Sequence, residues 1–230
     1  MRTRLAVIVV LLLALGLVIG PRKPSTARVD PRVLLSRLLS VHSGRLIRSN
    51  YTPLVEGEER IAGRDAWVLR LKPNVKQRPW RQIWVDKKTF SILAVRDWSH
   101  SNIVRGSSRL DQTPSVRFVT PGNPGGMRPS TAALRGLTLP SYVPAGFELV
   151  DVGAWRDTSS IRHVIYSDGL FNISLFYGFS SRQGREQQER LHVFDCGKVL
   201  AVSVPLATGS VMAVADLPEE EMLRIARSIR

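Results

Sequence analysis

The chain opens with an unbroken apolar run of 16 residues, Leu5 to Gly20, preceded by Arg2 and Arg4 and followed by Pro21-Arg22-Lys23-Pro24. The run is apolar on every face, so it carries neither a helical nor a strand period. It also falls short of the roughly 20 residues that span a bilayer as a helix. A basic start followed by an apolar stretch of this length is the pattern of a secretory signal peptide. Residues 1–20 are therefore expected to be a signal peptide or an uncleaved membrane anchor. The choice stays open because no cleavage site is good. Ala14-Leu15-Gly16 has small residues but would cut the run short, and cleavage after Gly20 puts Pro21 beside the scissile bond. No cysteine follows the run, so lipoprotein processing is excluded.

Further along, true periods emerge. Asp30-Pro31 reads as a helix N-cap with proline at the first helical position. Val33, Leu34, Leu35, Leu38 and Leu39 follow at helical spacing, which predicts a helix over 31–41 ended by Ser43-Gly44. From Asn50 to Asp97 the period falls to two. Trp67, Leu69 and Leu71 alternate with Val68, Arg70 and Lys72; Ile83 and Val85 alternate with Trp84 and Asp86. Turn residues at 62–65, 73–74 and 86–89 separate these runs, so the segment predicts an antiparallel meander with one buried face. The Gly- and Pro-rich stretch Thr120 to Ser130 interrupts the pattern and marks a linker. After it, extended runs are expected at 147–150, 162–166, 171–177, 199–204 and 210–215. A closing helix is expected after Leu217-Pro218, with Glu219, Glu220 and Glu221 first and Arg224, Arg227 and Arg230 last, as the helix dipole favours. The expected organisation is 1–20 leader, 30–118 β-rich first domain, 119–136 linker and 137–230 second domain. The fold class is α+β: an antiparallel β-meander plus a smaller mixed α+β C-terminal domain.

Charge narrows the partners. There are 33 Lys and Arg against 19 Asp and Glu, a net charge of +14, and only Arg2 and Arg4 of that excess lie in the leader. Such a surplus favours polyanions, anionic lipid head groups or an acidic protein face. The charge does not choose among them, although an exported chain argues against nucleic acid. The single cysteine, Cys196, rules out an intramolecular disulfide and a Cys-rich metal site, and is expected to be buried.

Catalytic patterns are missing. His42, His100, His163 and His192 have no metal-ligand spacing, and there is no Gly-x-Ser-x-Gly elbow or phosphate-binding glycine loop. Ser167-Asp168-Gly169 near His163 reads as a turn. The expectation is a protein with no catalytic residues, no metal and no cofactor. For binding, Trp80 beside Arg78 and Arg81 is the candidate exposed contact, although a solvated basic edge explains it equally well. Trp67 and Trp84 lie in alternating strands, and at least one should be core. Arg182, Arg185 and Arg190 form either an acidic-partner surface or a solvated run.

Several stretches carry a family resemblance. Tyr51 to Pro73, with its Ala62-Gly63-Arg64 turn and apolar strand, and Arg81 to Thr89, with Trp84 and Asp86, resemble the MucB/RseB family of sigma-factor regulatory proteins. In the second half, Pro144-Ala145-Gly146-Phe147 is similar to the family's Pro-x-Gly-Phe, and Tyr166-Ser167-Asp168-Gly169-Leu170 to its Tyr-Ser-Asp-Gly-Leu. Leu217 to Ile229 resembles its closing helix. The resemblance implies a periplasmic protein of two domains, the first a lipoprotein-carrier-like curved sheet with helices inside it. It further implies a non-enzymatic regulator that binds a membrane-spanning anti-sigma factor. Here the first domain is shortened ahead of the Ala-Gly-Arg turn. The alternative reading is a lipid- or lipoprotein-binding carrier-like module, which needs an apolar cavity in that domain.

Overall fold

The computed structural model describes residues 29–38, 44–109, 129–155, 158–178, 191–197, 199–207 and 209–229. The leader and most of the Gly/Pro-rich linker lie outside the described residues. Among the described residues no helix is long and apolar enough to cross a membrane.

Helix α1, Pro31–Leu38, starts where the sequence predicts, with the Asp30 carboxylate accepting from Arg32 N at 2.8 Å. Gly44 does not simply end it: Gly44–Asn50 forms a second helix, α2. Its only buried apolar residues are Leu46 and Ile47, too few to register as a period. The chain then runs directly into a five-stranded antiparallel meander. Its strands are β1 Tyr51–Ile61, β2 Arg64–Pro73, β3 Trp80–Asp86, β4 Ile92–Trp98 and β5 Val104–Arg109, paired in sequence order. Strand β5 was not expected, because its run Arg-Gly-Ser-Ser-Arg has no apolar alternation.

The β1–β2 turn illustrates local control. Ala62 and Gly63 both have positive φ, 49° and 77°, as a two-residue hairpin loop of the primed type requires. Register irregularities at Val55/Gly57, Trp84/Val85 and Asp97/Trp98 add twist and bend the sheet. Leu34, Leu35 and Ile47 from the two helices pack into the resulting concave face against Leu69, Leu71, Ile83, Val85 and Val95. The opposite face is not simply solvated, contrary to expectation. Ala66, Val68, Trp84, Leu93 and Ala94 form a second cluster there.

After α3, Thr131–Leu134, which falls inside the segment read as linker, comes a second antiparallel sheet. Its strands are β6 Glu148–Trp155, β7 Thr158–Ser167, β8 Asn172–Tyr177, β9 His192–Asp195, β10 Leu200–Leu206 and β11 Gly209–Ala215, in the order β6-β7-β8-β11-β10-β9. The closing helix α4, Glu219–Arg227, lays Met222, Ile225 and Ala226 on this sheet. Burying each such Met or Ile side chain is worth roughly 1.5–3 kcal/mol. The architecture is α+β, two antiparallel sheets each covered by helix on one face.

No atom lies within 4 Å of a Cβ built on Gly63, so substitution there is limited by backbone strain alone. Gly63→Val is expected to cost about 1–2 kcal/mol in urea denaturation and Gly63→Asn clearly less, because Asn tolerates a positive φ.

Candidate functional site

The two sheets are joined at a buried junction where α2 passes into β1. The Asn50 side-chain amide donates to the carbonyls of Gly146, at 2.8 Å, and Asp168, at 2.9 Å. The next residue, Tyr51, donates its phenol to Asp168 Oδ2 at 2.6 Å. The other carboxylate oxygen of Asp168 accepts from Leu170 N at 2.9 Å and Phe171 N at 2.8 Å. Ser167 Oγ accepts from Gly169 N, which tightens the turn. Both acceptor turns approach α2 so closely that only glycine fits. A Cβ on Gly169, at φ +103°, would lie 2.8 Å from the backbone nitrogen of Ile47, and one on Gly146, at φ +90°, would lie 2.5 Å from Asn50 Oδ1. Leu170 and Phe171 complete the junction by packing against the core of the first sheet. The bidentate Arg45–Glu148 pair adds an exposed contact, which is worth little in water.

The electrostatics follow from burial. Tyr51 is 2% exposed and Asp168 4%. Desolvation pushes the Asp168 carboxyl above its ordinary 3.8, opposed by the Tyr51 hydroxyl, the two backbone N–H groups and the Arg78 charge. Burial, with the Asp168 charge next, pushes the Tyr51 phenol well above its ordinary 10.0. The space lined by Asn50, Tyr51, Arg78 and Asp168 is only about 10 Å³, room for about one water. This junction is a fastening rather than a receptor.

A second contact closes the far side. The turn from Ser99 to Ile103 is held by Ser99 N donating to Ile103 O at 2.7 Å and Ile103 N donating to Ser99 Oγ at 3.0 Å. Asn102, at φ +63°, accepts from the Trp80 indole at 2.9 Å. Trp80 in turn stacks on Trp98 at 4.8 Å and lies under the Arg70 guanidinium at 3.9 Å. Thus fixed, the turn carries His100 Nδ1 to 2.8 Å from Oδ1 of the buried Asp216, just after β11. Beside this contact lies a cleft of about 360 Å³ between the two sheets.

The residues singled out from sequence divide accordingly. Trp80 and Arg78, expected as an exposed contact, are each only 8% exposed. The Trp80 ring is consumed by stacking and by holding the turn, and Arg78 lies 5.6 Å from the Phe147 ring at the junction. Arg81 is bound bidentately to Asp97 and sits 5.8 Å from the Phe171 ring. Arg182, Arg185 and Arg190 lie outside the described residues. Cys196 is exposed rather than buried. Trp84 is core at 4% exposure and donates to Glu59.

The family motifs do bring residues together. Arg64 pairs with Asp86 at 2.6 Å, while Asp86 also accepts from Lys88 N and Thr89 N, fastening one hairpin turn to the next. Gly146, Phe147, Tyr166, Ser167, Asp168 and Gly169 build or flank the junction. Their partners Ile47, Asn50 and Tyr51, and the His100–Asp216 pair, were not singled out from sequence; each of these contacts spans 96 or more positions. Among the described residues no group of three or more His, Cys, Asp or Glu could hold a metal.

Comparison with known proteins follows the same division. Residues 22–97 match the family model described as the MucB/RseB N-terminal domain, and residues 138–230 that of the MucB/RseB C-terminal domain. The chain is similar to the crystal structure of MucB in complex with MucA(peri), at 20% identity and TM-score 0.51, covering 90% of this chain and 72% of that one. It is also similar to the Pseudomonas aeruginosa MucA/MucB complex, at 20% identity and TM-score 0.52, covering 89% and 72%. MucB alone gives 17% identity and TM-score 0.51, covering 86% and 69%. At these identities the likeness is one of fold. No curated protein matches the chain.

Two outcomes are expected of the junction. Gly136, like Gly169, has positive φ, but nothing lies within 4 Å of its Cβ position. Gly136→Ala should therefore cost about 1 kcal/mol and Gly169→Ala about 3 kcal/mol or more, compared by denaturation. The second concerns pH. The folded chain holds the Asp168 proton more tightly than the unfolded chain does. Its contribution to stability is full below the unfolded value and is lost as pH rises through the folded one. Tyr51→Phe removes a donor to the carboxylate. It is expected to move the upper end of that window to higher pH and to cost about 1–3 kcal/mol at neutral pH, both readable from urea denaturation at stepped pH.

Proposed function

The chain belongs to the MucB/RseB family, and on that premise we propose that it works outside the cytoplasm as a non-enzymatic regulator. In this reading it binds the extracytoplasmic part of a membrane-spanning anti-sigma factor and so modulates sigma-factor signalling. The observation that carries the proposal is the match of both halves, in order, to the two models of one family. The similar solved structures support it, since two of them are complexes of MucB with MucA. The apolar, basic-flanked N-terminus agrees with export or anchoring at the membrane. The chain would then divide into two domains within 119–136, bolted together by the Asn50–Tyr51–Asp168 junction, which suits a receptor that presents a fixed surface. The carrier reading has less support, because Leu34, Leu35 and Ile47 of the inner helices fill the concave face where a lipid would have to lie.

In-cell crosslinking of a C-terminally tagged copy, with mass spectrometry of what co-purifies, tests the proposal. Capture of a single-span protein with a sigma-binding cytoplasmic part is the expected result. Recovery of lipid or lipoproteins without such a protein would overturn the proposal in favour of the carrier reading.

A further inference from the structure

The cleft beside His100 and Asp216 differs in character from the rest of the molecule. It lies where two sheet edges meet. Among the described residues β5 is the last strand of the first sheet and β9 the last of the second. Ile103, just before β5, Val104, its first residue, and Asp195, at the end of β9, line it. Ile103 is 67% exposed and Val104 45%, and on β9 Val193 and Phe194 are 39% and 47% exposed. Large apolar side chains left in water on two adjoining segments mark an interaction surface.

The charge of the cleft runs against that of the chain. Asp195, Asp216 and Glu219 line it together with His100, in a protein whose net charge is +14. A strand at a sheet edge also offers backbone N–H and C=O groups along its outer side. Strand β9 is four residues long, with every residue exposed. Asp195 is the β9 residue that reaches the cleft, and there Ile103 and Val104 stand in one lining with the carboxylates of Asp195, Asp216 and Glu219.

We infer that this cleft docks an extended partner segment that carries both apolar residues and Lys or Arg, laid between the Ser99–Ile103 turn and the end of β9. The inference rests on the binding-protein reading above and supplies the chemistry of the segment bound. The His100–Asp216 contact holds the two walls at a fixed separation, so the cleft is preformed rather than assembled by the partner.

The test uses the full chain and two fluorescent peptides, one alternating lysine with valine and one alternating glutamate with valine. Generic attraction to a protein of this charge favours the glutamate peptide, so a preference for the lysine peptide reports the cleft. The expected result is saturable binding of the lysine peptide, weakened about tenfold or more by Glu219→Lys combined with Asp195→Lys, and weakened also by Ile103→Ser. All three positions are exposed, so the fold should tolerate the changes. Absent binding of the lysine peptide, a preference for the glutamate peptide, or affinity unchanged in these variants would overturn the inference. The crosslinking experiment separates the two claims. Undiminished capture of the natural partner by a variant combining Glu219→Lys, Asp195→Lys and Ile103→Ser removes the cleft and leaves the regulator reading. Intact lysine-peptide binding without any anti-sigma partner removes the regulator reading and leaves the cleft.

Discussion

A carboxylate taken out of water is tolerated only where donors surround it. Asp168 meets that demand with the Leu170 and Phe171 amides of its own turn and with one donor from across the molecule, the Tyr51 phenol. The residue before Tyr51 fastens the same turn by its backbone, since the Asn50 amide donates to the carbonyls of Asp168 and Gly146. Two consecutive residues at the start of the first sheet therefore hold two separate turns of the second half. Sliding the sheets by even an ångström would leave a buried charge and two carbonyls without these donors, which costs more than the marginal stability of most domains can spare.

With one side fastened, the width of the far side depends on how well the Ser99–Ile103 turn is placed. The first sheet sets this through aromatic packing. Arg70, Trp80 and Trp98 stack in a column, and the Trp80 indole holds Asn102 in its left-handed conformation. His100 then reaches Asp216 from a rigid base. The path runs from a stacked tryptophan to a turn, to a hydrogen-bonding side chain and so to the cleft wall. Trp80 thus acts by positioning, although its neighbours in sequence suggest a surface contact.

What the sequence reveals and what it hides differ for physical reasons. Alternation made the β8 and β11 strands legible, because each has one well-buried face, whereas β2 and β3 bury residues on both faces and the second cluster went unread. The Ala-Gly turn and the closing helix were legible because glycine conformation and the helix dipole leave local signatures. The edge strands β5 and β9 were not, because an edge strand needs little apolar alternation. The short helix α2 was hidden by its single pair of buried residues. The junction was half visible. Its turns stood out as family motifs, but their role depends on Asn50 and Tyr51, which lie 96 or more residues away. No local pattern links such positions. The Arg78–Trp80–Arg81 cluster misled for the opposite reason, since a basic aromatic run looks alike whether it meets solvent or stacks inward.

The claim on which the rest stands is that Tyr51 and Asp168 act together to hold two sheets as one body. A double-mutant cycle measures it directly, with Tyr51→Phe, Asp168→Ala and the combined variant compared by urea denaturation at neutral pH. Direct coupling across the junction predicts an interaction energy of about 0.5–3 kcal/mol. Additive effects, with an interaction energy of about zero, would show that the two residues stabilise their own halves independently, and the fixed two-sheet body would have to be abandoned.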